Sequence, residues 1–311
     1  MSAQRRRSFP LVSRHRMTGV AYGSQRSLRR GQGAEIAGSR GYVPGDRLAW
    51  IDWYASARLS LSRDDDLFVV RQYYEEVAPR VIIVVDRRPS MGLYPPEFPW
   101  LCKPLVLREA ITAIVAAAHA ARAYVGYLDF VGESNGSGSS AYWISPHRQS
   151  ARKIVERISE GFSAPSDSFE LAIDYLLSLR SDVPAGSFVF ILSDFLCPLP
   201  DHVWSRARER GWDVAPVIIQ DRVWEQNFPG IEGLLVPFTD SRSGKSTSVR
   251  LTAREARERQ SINVARLRNT IDGFRRLKFD SILLDTSNTH EIDSAFIRWA
   301  TKRRLSRAVA R

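Results

Sequence analysis

Cysteine is almost missing from this chain. Its 311 residues hold two, Cys102 and Cys197, far apart and in no CxxC or Cys/His cluster. That argues against a disulfide framework and against a structural zinc site, and it fits a reducing cytosol. Long apolar runs are missing as well. No stretch approaches the ~20 apolar residues needed to cross a bilayer. The most apolar one, Ile111 to Ala121, contains His119 and stops at Arg122. Near the start, Arg6-Arg7-Ser8-Phe9 has the outline of a twin-arginine export signal, but Ser13-Arg14-His15-Arg16 stands where the apolar region should begin. No Walker A loop and no HExxH motif is present, so the commonest signatures of nucleotide hydrolysis and zinc proteolysis are lacking. A cytoplasmic protein without a membrane span is expected.

Acidic residues are outnumbered, 34 against 45 basic, for a net charge of +11. The excess lies near the ends: Arg5, Arg6, Arg7, Arg14, Arg16, Arg26, Arg29 and Arg30 at one, Lys302, Arg303, Arg304, Arg307 and Arg311 at the other. Such clusters suit nucleic acid, anionic lipid or an acidic protein. A charge run is more often a solvated tail, so nucleic acid is not the expected partner. The hydrophobic content of 44% is ordinary for a globular protein and excludes global disorder. Length and composition divide the chain into a basic flexible arm (1–37), a β-rich motif segment (38–78), a main domain (79–304) and a basic tail (305–311).

What is present is a strand–helix alternation. Val81-Ile82-Ile83-Val84-Val85 reads as a strand buried on both faces, as in parallel sheets, and closes in Asp86-Arg87-Arg88-Pro89-Ser90-Met91. A helix over 105–124 carries Leu107, Ile111, Ile114, Val115 and Ala118 on one face, and its His119 reads as structural. Strands at 124–130 and 141–144 flank a Gly/Ser-rich connection, and helices follow near 149–160 and 168–180. Phe188-Val189-Phe190-Ile191-Leu192 is a second buried strand, ending in Ser193-Asp194-Phe195. A helix near 202–210, a strand at 213–219, a hairpin-like region at 221–250, a charged helix at 252–274, a strand at 281–284 and a helix at 291–304 complete the pattern. The alternation predicts an α/β fold, a doubly wound and mostly parallel sheet of Rossmann-like form with an N-terminal β-rich extension. Ligand sites in such sheets lie at the carboxyl ends of strands, so Asp86 and Asp194 point to one site.

Gly41-Tyr42-x-Pro44-Gly45-Asp46, Ile51-Asp52-Trp53-x-Ala55-Ser56-Ala57-Arg58, Val70-Arg71 and Glu75-Glu76 precede the Asp86 strand in that order. This set, with Ser193-Asp194-Phe195 and Leu284-Asp285-Thr286-Ser287, resembles the bacterial von Willebrand factor A-like family of unknown function that is associated with MoxR-type AAA+ ATPases. The resemblance covers about residues 38–300. It implies a von Willebrand factor A-like fold, a non-enzymatic interaction role, and as candidate partners a MoxR-type AAA+ ATPase and other von Willebrand factor A-like proteins. It also implies a degenerate form of that fold's metal-ion-dependent adhesion site, written Asp-x-Ser-x-Ser, with Asp86, Ser90 and Asp194 as vestigial ligands. Arg88 stands in the central position, and the second loop, Ser166-Asp167-Ser168, offers no threonine.

An arginine beside a divalent ion is opposed by like charge, and a guanidinium pairing bidentately with Asp86 or Asp194 would replace the ion. No cofactor is therefore expected beyond weak Mg²⁺. Asp86 and Asp194 also read as simple strand-end caps. Val43-Pro44-Gly45-Asp46 fits a type II turn. Asp46, Asp52 and Arg58 read as turn caps and an internal ion pair, and Trp50 and Trp53 as anchors packed on the main sheet. The segment Tyr94-Pro95-Pro96-Glu97-Phe98-Pro99-Trp100 is a partner-contact loop or a cover for the sheet edge, which makes Trp100 a candidate contact. A metal-dependent hydrolase or phosphotransferase with Asp86 as nucleophile, and a nucleic-acid-binding protein acting through its basic ends, are the alternatives.

Overall fold

The computed structural model describes residues 8–13, 20–63, 65–94, 101–132, 139–147, 150–159, 161–197, 200–230, 233, 235–240 and 245–309. Its centre is a six-stranded sheet built from β3 (Arg80–Val85), β4 (Tyr124–Gly132), β5 (Ser139–His147), β6 (Phe188–Ser193), β7 (Asp213–Ile219) and β10 (Ile282–Leu284), in the order β10-β7-β6-β3-β4-β5. All pairs are parallel except β4–β5. The chain leaves β3 for β4 on one side and later returns as β6 on the other. The switch point of this doubly wound sheet therefore lies between β3 and β6, where Asp86 and Ser193-Asp194 end their strands.

Alternation along β3 divides the core. Val81, Ile83 and Val85 face α2 (Lys103–Ala120), α3 (Ser150–Arg157) and α7 (Thr289–Val309). Ile82 and Val84 face α4 (Ser168–Ser178), α5 (Asp201–Glu209) and α6 (Ala253–Arg276). Both faces are apolar because both are covered, which is why these strands read as continuous hydrophobic runs. Thr252 and Glu255 form a capping box that starts α6. The 221–250 region carries the antiparallel pair β8 (Leu235–Thr239) and β9 (Ser246–Arg250).

The described residues within 1–37 depart from the expected arm. Phe9 and Leu11 are buried in the core, and the Phe9 ring stacks on Phe296 at 4.8 Å and meets Trp299 edge-on at 5.9 Å. Two apolar residues among many arginines give no periodicity, yet they fill a gap between α7 and the sheet. Then β1 (Val20–Gly41) pairs antiparallel with β2 (Val69–Ala78), through several register shifts. Residues 305–309 of the expected basic tail (305–311) are helical instead, and the basic cluster before them is partly internal. α7 continues to Val309, and Arg303 is buried in ion pairs with Asp213 and Asp280, stacked 4.2 Å over Trp299.

Between β1 and β2 sits a small head: a turn at 43–46, a 3₁₀ turn (Leu48–Trp50) and α1 (Trp53–Arg63). β2 runs into β3 through Pro79, so this hairpin leaves the sheet at its amino edge, opposite Asp86. The head lies one β2 length away, about 30 Å. His119 is exposed on α2 and no core residue. Among the described residues, no helix is long and apolar enough to cross a membrane.

Candidate functional site at the sheet edge

The switch point brings Asp86, Arg88, Ser90 and Asp194 together, all at most 3% exposed. Asp86 follows β3, and its backbone N–H donates to Leu192 O at 3.0 Å, which fixes it beside the end of β6. Arg88 turns back onto it. Its Nε donates to Asp86 Oδ1 at 3.0 Å and its Nη2 to Oδ2 at 2.6 Å, while its own backbone N–H donates to Oδ1 at 3.0 Å. Ser193 Oγ donates to Oδ2 at 2.6 Å. Both oxygens of Asp86 are thereby engaged. Burial opposes the Arg88 charge, but the Asp86 carboxylate, with a smaller contribution from Asp194, outweighs it and raises the guanidinium pKa.

Asp194 has a different cation. Lys103, fully buried at the start of α2, donates from Nζ to Asp194 Oδ2 at 3.0 Å, to Glu225 Oε1 at 2.6 Å and to Ser90 O at 3.1 Å. Three oxygens thus surround one ammonium, and the Tyr94 ring lies 5.6 Å from it. Burial works against ionised Asp194, yet the Lys103 charge, the Leu196 N–H and Arg88 hold its carboxyl below the usual range. Burial, reinforced by Asp194 and only partly offset by Lys103, pushes the Glu225 carboxyl up. Ser90 Oγ faces Asp194 and favours its charge without a hydrogen bond of normal geometry. A third pair lies on the β4 side. Arg87 Nε donates to Asp129 Oδ2 at 3.0 Å, and Arg157 grips both oxygens of Asp129 at 2.9 and 3.0 Å. Tyr94 and Phe195, on the two loops that flank the site, have φ of 61° and 50°. Bulky residues rarely adopt this left-handed region, and it stores of order 1–3 kcal/mol at each.

The sequence pointed to Asp86, Arg88, Ser90 and Asp194, and the structure assembles them. It did not point to Lys103, Glu225 or Asp129. None of the Ser166, Asp167 and Ser168 side chains hydrogen-bonds Asp86 or Asp194; they lead into α4. Trp100 lies outside the described residues. Because the acidic residues are buried and paired, they shape the rim without presenting surface to a partner.

The other motif residues build the head. Asp46 accepts from Arg40 through both oxygens at 2.6 Å, and its backbone N–H donates to Val43 O at 3.0 Å across the Pro44-Gly45 turn, where Gly45 has φ of 105°. The Arg40 hydrogen bond is the main cause that lowers the Asp46 pKa. Asp52 caps α1 through Ala55 N–H at 3.1 Å and pairs with Arg71 at 2.8 Å. Buried Ser56 accepts from Val69 N–H at 2.8 Å and donates to Asp52 O at 2.7 Å. Tyr42 packs edge-on against Phe68. Arg58 pairs with no carboxylate among the described residues and lies over the Tyr54 ring. Trp50 rests on Tyr73, and Trp53 is 63% exposed, so neither anchors the main sheet. Tyr54 at 73%, Leu48 at 66% and Leu61 at 86% are exposed beside it.

Cys102 and Cys197 form no disulfide. Among the described residues, no group of three or more His, Cys, Asp or Glu could hold a metal ion.

The model of a family described as a protein of unknown function, DUF58, matches residues 38–270. No curated protein matches the chain. Among solved structures, an aerotolerance-related membrane protein from Bacteroides fragilis NCTC 9343 with multiple mutations to serines is 15% identical, with 72% of this chain and all of that chain covered and a TM-score of 0.41. A von Willebrand factor type A structure from Catenulispora acidiphila is 10% identical, with 75% of this chain and 44% of that chain covered and a TM-score of 0.36. The PilB minor pilin from Streptococcus sanguinis is 10% identical, with 76% and 64% covered and a TM-score of 0.39.

Proposed function

Because the chain belongs to the DUF58 family, we propose that it is a non-enzymatic adaptor, working in the cytoplasm with a MoxR-type AAA+ ATPase. We also propose that its sheet edge is an adhesion site refilled with the chain's own cations. The ATPase comes from the motif order described above, and the adaptor role from the surface. The observation that carries it is the exposed apolar face of the head, with Trp53, Tyr54, Leu48 and Leu61 all well over half exposed while the motif residues Asp52 and Ser56 are hydrogen-bonded within the head. A patch of aromatic residues held on a rigid base is the composition of a protein-contact surface.

The donor set at the edge does not suit a divalent ion. Asp86 is saturated by Arg88, and Lys103 already gathers the oxygens of Asp194, Glu225 and Ser90. Any ion placed there would meet two buried positive charges. The same saturation disfavours a hydrolase, since Asp86 has no free oxygen to attack with. A nucleic-acid role loses Arg303 to internal pairing.

The test is capture of the MoxR-type ATPase from the same organism by immobilised protein. Trp53→Ala with Tyr54→Ala should weaken capture about tenfold or more, as for central aromatic contacts, and leave the melting temperature unchanged. Wild-type capture by that double variant would overturn the assignment of the surface. Absence of capture by the unaltered chain would overturn the partner.

A further inference from the structure

A helix that leads into a strand of a parallel sheet ends at the sheet's amino edge. α2, α4, α5 and α6 do so, and α7, which follows β10, runs back to the same edge. Basic residues collect there. Arg122 follows α2, Arg180 follows α4, Arg208 lies in the last turn of α5, Arg276 ends α6, and Lys302 and Arg304 lie toward the end of α7. All six are exposed. One basic residue at a helix end answers the helix dipole. Here α5 carries Arg206 and Arg208 with Arg210 after them, and α6 carries Arg275 and Arg276 with Lys278 after them, which exceeds that need.

The excess is not neutralised within the fold. Asp174 is taken by Arg206, Asp272 by Arg275, and Asp213 and Asp280 by the buried Arg303. None of the six exposed cations pairs with a carboxylate among the described residues. Other arginines of the face bond inward to carbonyls: Arg80 donates to Ser181 O and, at 2.8 Å, to Asp182 O, and Arg210 donates to Arg180 O at 3.2 Å. A carbonyl orients a guanidinium and leaves its charge unspent. Against this charge stand Glu209 and Asp182, the latter accepting from Ser145 Oγ at 3.0 Å.

The charge selects a polyanion, and the surroundings select which one. Six strands about 4.8 Å apart give the edge a width of some 24 Å. A nucleic-acid duplex carries one phosphate charge per about 1.7 Å of its axis, so it meets cations spread over such a width together. A single strand calls for exposed aromatic residues on which its bases stack. Among the described residues the exposed aromatics are Trp53, Tyr54 and Phe68 at the head and Tyr142 on β5, none of them at this edge. The β1–β2 hairpin leaves from the same edge and obstructs an extended bilayer, whereas a rod lies beside it.

We propose that the amino edge of the sheet binds the phosphate backbone of duplex nucleic acid without reading its sequence. Guanidinium and ammonium contacts to phosphate position a duplex and carry no base information. The face is built by helix ends far apart in the chain, and Arg303, spent on Asp213 and Asp280, takes no part in it. It is separate from the aromatic head, so it stands whether or not the head binds an ATPase.

The experiment uses the purified full chain and fluorescence anisotropy of a labelled DNA duplex of arbitrary sequence, with the single strand and phosphatidylserine vesicles as comparisons. Six phosphate contacts predict an affinity that falls about a thousandfold between about 50 and about 200 mM salt. Arg208→Gln, Arg276→Gln and Arg304→Gln combined should weaken binding at least about tenfold and lower the slope of log affinity against log salt by about 2.7. Arg58→Gln, Arg254→Gln and Arg257→Gln combined remove the same charge from the head and from the start of α6, about 30 Å along that helix from Arg276. This second variant should bind the duplex as the natural chain does. Both alter exposed residues and should keep the melting temperature. Duplex binding that is absent, that survives the first variant, or that falls equally in both would overturn the proposal. Tighter binding of the single strand, or binding of the vesicles without the duplex, would assign the face to another anion and overturn it equally.

Discussion

Lys103 is the residue on which the sheet edge depends. Its ammonium separates Asp194 from Glu225, and removing it leaves two carboxylates facing each other in the interior. Lys103→Met should cost about 3–5 kcal/mol, the usual result of breaking a buried pair, measured by urea unfolding. The pH dependence has a defined sign. Burial lowers the Lys103 pKa, but Asp194 and Glu225 outweigh it and set it above the ordinary lysine value. Its stabilisation is complete below the unfolded value and is lost as pH rises through the folded one. Asp194, held below its unfolded value, stabilises above that value and loses the contribution as pH falls through the folded one. Glu225, pushed up, does the reverse: stability falls as pH rises from its unfolded value through its folded one. Melting temperature followed across pH should therefore show an alkaline loss in the natural chain that is absent in Lys103→Met. Asp86 and Asp194 were legible in the sequence because each ends an unmistakable buried strand. Lys103 and Glu225 were not, since they reach the site from a helix and a loop distant in the chain. The one available signal was a lysine opening an apolar helix, where the helix dipole disfavours positive charge.

Strands and helices of the main domain were readable wherever burial on two faces or on one stripe imposed a pattern. β7 was expected at 213–219 and is found there, and α4, α5 and α6 agree within a few residues. β1 was not readable, because its Arg, Gly and Ser residues lack alternation and its pairing is set by β2. Phe9 escaped for a related reason: a lone aromatic in a basic segment has no period. Its consequences are testable. Phe9→Ala should cost about 3 kcal/mol or more if the cavity beside Phe296 and Trp299 stays open, and deleting residues 1–13 should cost at least as much. A deletion with an unchanged urea midpoint would show that this segment does not hold α7 to the sheet. Within β4, a Cβ on Gly126 would lie 3.0 Å from Ile144 O and Ile82 Cδ1. Gly126→Ala should therefore destabilise by about 1–3 kcal/mol, as overpacking does, also read by urea unfolding.

For the whole molecule, the hairpin makes a separable geometry. The charge-matched sheet edge and the aromatic head are at opposite ends of the β2–β3 run, and they make different demands on the chain. Residues at the edge are buried, so their replacement acts on stability; Leu48, Trp53, Tyr54 and Leu61 on the head are exposed, so theirs acts on contact. Gly41 and Val69 are cross-strand partners in the β1–β2 ladder, which allows the head to be removed cleanly. Replacing residues 42–68 with Asn-Gly supplies a two-residue turn suited to closing an antiparallel pair. The shortened chain should keep the melting transition of the α/β domain, because none of the core clusters draws a residue from 42–68. Its capture of the ATPase should fall to background. Loss of the melting transition would show that the head braces the domain, and the division into a contact head and a stable body would fail. Intact capture would move the ATPase surface from the head to the α/β body.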